Sequence, residues 1–123
     1  MLQSGIAKSI DIASSIDEII SMYEISENED VEKIRDFIEK HEHLIPILSE
    51  AKEHIISVFG DCVRIFLELY YDIEEGWEQL FVVIKSPYDP KKAVELKIKL
   101  LRGWFINKTI DTKGNLGISE ESL

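Results

Sequence analysis

Residues 60–86, GDCVRIFLELYYDIEEGWEQLFVVIKS, decide the fold class. Val63, Ile65, Leu67, Leu69 and Tyr71 alternate with Cys62, Arg64, Phe66, Glu68 and Tyr70. A repeat of two puts an apolar and a mixed face on an extended strand, the pattern of a strand half buried against a core. Residues 72–78 break the alternation with three acidic side chains before Gly76 and read as a hairpin loop. Leu80, Phe81, Val82, Val83 and Ile84 follow, apolar on both faces, which predicts a central strand. A two-stranded ribbon is marginal alone, so a third strand is expected. The remaining candidate is Leu116 to Ser119, after the Lys113-Gly114-Asn115 turn.

Outward toward the N-terminus the period changes to 3.6. Ile6, Ile10, Ile12, Ala13, Ile16, Ile19, Ile20 and Tyr23 share one arc of a helix whose other face carries Lys8, Asp11 and Glu18. Five serines between residues 4 and 21 lower its intrinsic propensity, so packing must hold it. After the polar break at residues 26–30, Val31, Ile34, Phe37, Ile38 and His41 resume helical spacing. Leu44 and Ile45 read as a linker ahead of Pro46, and a third helix runs from about Pro46 to Phe59, ended by Gly60. Helices two and three are expected to form a hairpin.

On the other side, Asp89 can cap a helix that has Pro90 in its first turn and runs to about Asn107. This fourth helix has two apolar stripes. Val94, Ile98, Leu101 and Phe105 form one; Ala93, Leu96, Leu100 and Trp104 form the other, about 120° away at ~100° per residue. One stripe can cover the sheet. The other needs a second partner, either the N-terminal helices of the same chain or a second copy of it.

The chain has 123 residues, the length of about one domain, and 24 acidic against 14 basic side chains, for a net charge of -10. That charge argues against nucleic acid and anionic membranes as partners. One cysteine, Cys62, excludes an internal disulfide and a four-cysteine zinc site, and favours a reducing, cytoplasmic setting. No run approaches the ~20 apolar residues of a membrane helix, and residues 1–10 lack a signal-peptide core. The charge is uneven: ten acidic against three basic residues lie between Asp17 and Glu42, whereas Lys91, Lys92, Lys97, Lys99, Arg102 and Lys108 face only Glu95 within eighteen residues. The basic run reads as the solvated face of the fourth helix or as a docking surface for an acidic partner.

Motifs that carry chemistry are few. His41 and His43 are two residues apart, and side chains at that spacing on a helix diverge, whereas helical metal ligands sit three or four apart. They read as the C-terminal residues of helix two, and Glu50 with His54 as an exposed i, i+4 pair. Phe59-Gly60-Asp61 followed about ten residues on by Asp72-Ile73-Glu74 has the spacing of a nucleotidyltransferase Mg²⁺ site. Asp61 stands where such enzymes place a phosphate-binding serine, and a strand fills the interval, so Asp72 and Glu74 read equally as turn residues. Cys62 reads as a small core hydrophobe. Trp77, in the predicted loop, and Tyr88, in the next turn, are candidates for an exposed aromatic patch; alternatively Trp77 folds back over the sheet edge.

The segment His43-Leu44-Ile45-Pro46-Ile47-Leu48, then Glu50-Ala51 and Phe59-Gly60, resembles a family of small uncharacterised bacterial and archaeal proteins with a His-Leu-Ile-Pro-Leu-Leu-like helix start. Similar features continue through Phe66 to Glu75, Leu80 to Ile84, Ser86-Pro87 with Ala93, and Trp104-Phe105, covering roughly residues 31–119. The resemblance implies no known reaction; small acidic proteins of this kind are sometimes suspected partners in toxin and antitoxin gene pairs.

The expected fold is α+β: an antiparallel sheet of about three strands, at 62–71, 79–85 and 115–119, packed against helices, with an N-terminal helical hairpin. Residues 1–25 form an amphipathic N-terminal helix, 31–119 the α+β domain and 120–123 a polar tail. The expected function is non-catalytic protein binding, as a homodimer or with a partner protein, with an antitoxin-like role as one version. The expected contact residues are Trp77, Tyr88, Leu96, Leu100 and Trp104, with no cofactor or metal. The alternative is a Mg-dependent nucleotidyltransferase-like enzyme using Asp72 and Glu74.

Overall fold

The computed structural model describes the backbone of residues 2–123 and the side chains from residue 12 onward. The side chains of Ile6, Lys8, Ile10 and Asp11, placed on the first helix from sequence, lie outside the described residues.

The alternation in residues 62–71 becomes strand β1, Arg64–Asp72, and the apolar run becomes β2, Trp77–Ser86. They pair antiparallel from Arg64 opposite Lys85 to Asp72 opposite Trp77. Only Ile73–Gly76 remain as the connection, shorter than the loop expected at 72–78. Asp72 sets it: its Oδ1 accepts from the amides of Glu74 and Glu75 at 2.9 and 3.0 Å, and its carbonyl accepts from Gly76 N–H at 2.8 Å. Gly76 has φ 70°, a conformation for which a side chain is penalised.

Strand β3, Leu116–Ser122, lies on the other side of β2, which is therefore central as its two apolar faces require. It pairs parallel to β2, from Leu80 opposite Leu116 to Ser86 opposite Ser122. The sheet is thus mixed, and the expectation of an all-antiparallel sheet is corrected. The cause is the long connection between the two strands: it carries a helix, and a strand-helix-strand crossover returns the chain in its original direction. Residues 120–122, read from sequence as a tail, are part of this strand.

Helix α1 spans Leu2–Met22, α2 Val31–Lys40, α3 Ile45–Phe59 and α4 Pro90–Gly103; a 3₁₀ turn at Phe105–Lys108 and a short α5, Thr109–Thr112, lead into β3. Asp30 caps α2 through Glu32 N–H at 3.0 Å, and Asp89 caps α4 through Lys92 N–H at 2.9 Å, the second as the sequence predicts. Leu44, expected in a linker, instead ends a 3₁₀ turn, Glu42–Leu44, and is fully buried. Helix α1 packs against both α2 and α3. Its weak propensity is offset by burial of Ile16, Ile19 and Tyr23, by an ion pair from Asp17 to Arg35, and by Tyr23, whose hydroxyl donates to the Leu48 carbonyl at 2.6 Å.

The helices cover one face of the sheet. Ile65, Leu67 and Leu69 of β1, Leu80, Val82 and Ile84 of β2, and Leu116 and Ile118 of β3 share one core with α1, α2, α3 and Leu100 of α4. Residues of opposite parity form the outer face, which protects itself with its own side chains. Lys85 and Arg64 lie over the Phe66 ring at 4.5 and 5.1 Å, and Phe81 meets Tyr70 edge to face at 5.0 Å while covering Gly117. The free edge of β1 is also blunted. Glu24 pairs with it through Glu24 N–H to Ile65 O (2.9 Å) and Leu67 N–H to Glu24 O (3.0 Å), and the Glu29 carboxylate accepts from Leu69 N–H at 2.8 Å.

Candidate functional site

The two stripes of α4 are buried to different extents: Leu101 and Phe105 of the first pack against or within the core, whereas Val94 and Ile98 are exposed. Leu100 is fully buried and Trp104 nearly so, both in the chain's own core, and Leu96 packs partly buried against it. The covering element is α3 of the same chain. Trp104 donates from Nε1 to Glu50 at 3.1 Å and stacks on His54, with ring centroids 4.7 Å apart at 14°. Leu100 and Trp104 therefore have their partners within the protomer, which corrects their assignment as an external contact surface. The apolar side chains that α4 exposes belong to the other stripe: Val94 at 55% and Ile98 at 41%.

Trp77 and Tyr88 do not form a patch. Trp77 opens β2 at the hairpin end of the sheet, and Tyr88 lies just past the other end of the same strand, roughly 30 Å away at ~3.3 Å per residue. The Tyr88 hydroxyl donates to the Phe59 carbonyl at 2.5 Å and lies 3.2 Å from Cys62 Sγ, so Tyr88 fastens the end of α3. Cys62 is exposed rather than a core hydrophobe, because the chain is still in a turn there and the strand begins only at Arg64.

Other polar candidates are engaged in structure. His41 Nδ1 lies 2.8 Å from the Phe37 carbonyl, His43 Nε2 lies 3.2 Å from Asn115 Oδ1, and the two rings meet edge to face. Glu50 does not form a simple exposed pair with His54. It accepts from Lys108 Nζ at 3.0 Å and from Trp104, and these two hydrogen bonds hold its carboxyl below the usual carboxylate range. Asp72 Oδ1 serves the hairpin amides, so this carboxylate helps to order the turn. Among the described residues, no three His, Cys, Asp or Glu side chains gather as a metal site, and no helix is long and apolar enough to cross a membrane.

What the fold assembles instead is a groove of about 410 Å³ between α2 and the hairpin end of the sheet. Phe37, Lys33 and Lys40 come from α2, and Leu69, Tyr71 and Trp77 from the hairpin. Lys33 Nζ sits 5.6 Å from the Tyr71 ring centroid. Trp77 is 46% exposed, Tyr71 56% and Ile73, in the connection beside them, 85%. The sequence singles out only Trp77 of these. Tyr71 ends the apolar face of β1, but the core stops short of it, and that depends on how far α2 extends along the sheet. Glu74, Glu75 and Glu78 are exposed around the same end.

Among the charges of α4, Lys108 beyond its C-terminus pairs with Glu50, and Lys91, Lys92, Lys99 and Arg102 are exposed. Compared with models of known protein families, with curated proteins and with solved structures, the chain matches none.

Proposed function

We propose that the protein is a non-catalytic binding module that engages a protein partner through the hairpin end of its sheet. The observation that carries this reading is the exposure of Trp77, Tyr71 and Ile73 together at one end of the molecule, beside a groove. Their burial contributes nothing to the core, and aromatic side chains on a concave, partly apolar surface are the usual anchors of protein contacts. A cytoplasmic setting fits a chain whose single cysteine cannot form an internal disulfide. An antitoxin-like role is a particular case, with a toxin as the partner. The alternative is a Mg-dependent nucleotidyltransferase-like enzyme using Asp72 and Glu74, of which Asp72 orders the turn through Oδ1.

The test is site-specific photocrosslinking in cells, with a benzophenone side chain at position 77 and, as a control, at exposed Glu53 on α3. Position 77 is expected to give a discrete protein adduct and position 53 none. No adduct at 77, or the same adducts at both sites, would overturn the reading.

A further inference from the structure

The hairpin end and the exposed stripe of α4 are complementary surfaces on one chain. Residues 72–78 carry Asp72, Glu74, Glu75 and Glu78 and no basic residue, with Ile73 projecting into solvent. On α4, Lys91, Val94, Ile98 and Arg102 follow one another at spacings of three and four residues and therefore lie in a row on one side of the helix. The row is about 16 Å long at ~1.5 Å per residue, and all four side chains are exposed. Its centre is apolar and its ends are basic. The hairpin offers the converse, an apolar side chain flanked by carboxylates. Among the described residues, Glu74, Glu75, Glu78, Lys91 and Arg102 have no ion-pair partner within the protomer.

We infer that the partner is a second copy of this chain, with the hairpin tip of each protomer seated on the α4 stripe of the other. This inference rests on the binding reading above and names its partner. Two identical contacts related by a two-fold axis close the pair, so association stops at a dimer. Ile73 meets Val94 and Ile98, and the acidic tip faces Lys91 and Arg102. Opposed charges fix the orientation and speed encounter, and because they lie at the exposed rim, association weakens as salt is raised. The net charge of -10 does not prevent pairing, since the two surfaces that meet have opposite local sign.

Charge reversal tests the inference by sedimentation velocity at low ionic strength. Glu74→Lys with Glu75→Lys, and separately Lys91→Glu with Arg102→Glu, replace exposed side chains that hold nothing in the core. Each double variant alone is expected to dimerise at least about tenfold more weakly than the wild type, because like charges now meet at both contacts. An equimolar mixture of the two variants is expected to recover the dimer, since in the mixed pair both contacts again join opposite charges. Recovery requires both variants to be folded, so misfolding cannot imitate it. A wild-type protein that sediments as a monomer at millimolar concentration, or reversed variants that dimerise as well as the wild type, would overturn the inference. So would weakened variants that fail to recover on mixing. Crosslinking at position 77 separates the two claims. An adduct with a different protein leaves the binding reading standing and removes the second copy; no adduct removes both.

Discussion

Leu100→Ala and Ile98→Ala, two residues apart on α4, distinguish the buried side of the helix from the exposed one. Leu100 is fully buried in the common core, whereas Ile98 retains 41% of its surface in water. Truncating a buried leucine removes transfer free energy and leaves a cavity the core only partly closes, which together destabilise by roughly 2.7–5.0 kcal/mol. The lower part of that range, ~3 kcal/mol, suits a helix with solvent on one side. Unfolding entropy of about 2.1 cal/mol/K per residue amounts to roughly 0.26 kcal/mol/K for a chain of this length, so Tm should fall by about 12 °C. Ile98→Ala loses contacts on one side only and leaves no closed cavity, for at most about 1 kcal/mol, or roughly 4 °C. Paired urea and thermal unfolding curves read both values. If Ile98→Ala proved as destabilising as Leu100→Ala, α4 would be rotated from the orientation described and the stripe available to a partner would be the wrong one.

Gly117→Ala should destabilise by about 1–3 kcal/mol, because the added Cβ would fall 2.5 Å from Cε1 of Phe81. Combining it with Phe81→Leu should recover much of that loss in urea unfolding; no loss in the single variant would mean that the ring does not cover the glycine. Tyr23→Phe removes the buried hydroxyl bonded to Leu48, for about 1 kcal/mol by the same assay. The remaining prediction concerns pH. The hydrogen bond from Arg64 holds the Glu24 carboxyl below its usual range, so its contribution to stability is present above the ordinary carboxylate pKa and fades as pH falls through the lowered value. Carboxyl NMR titration should show Glu24 returning to the usual range in Arg64→Ala; an unchanged titration would contradict the pairing.

The strands were legible because their signal is local. Alternation from Val63 to Tyr71 marks one buried face, and the run Leu80–Ile84 marks a strand with neighbours on both sides. The direction of β3 was not, because parallel and antiparallel strands bury the same residue types; the crossover through α4 sets it. Helix α4 shows two stripes of comparable apolarity, and which residues of each turn inward depends on where β2 and α3 deliver the helix. Proximity along the chain misled for Trp77 and Tyr88, since the intervening residues are extended and separate them by the length of a strand. At the hairpin, Trp77 stood out by its type alone. The groove beside it joins residues of α2 to others about thirty or more positions later, which no short-range pattern reports.

The central claim is that two copies of the chain meet through the hairpin end of one and the α4 stripe of the other, and hydroxyl-radical footprinting of side chains over a rising protein concentration tests it most directly. Ile73, Trp77 and Ile98 should lose reactivity together as the protein associates, while Ile110, exposed at 87% on α5, keeps its own. Full reactivity of Ile73 and Trp77 at every concentration would contradict the account.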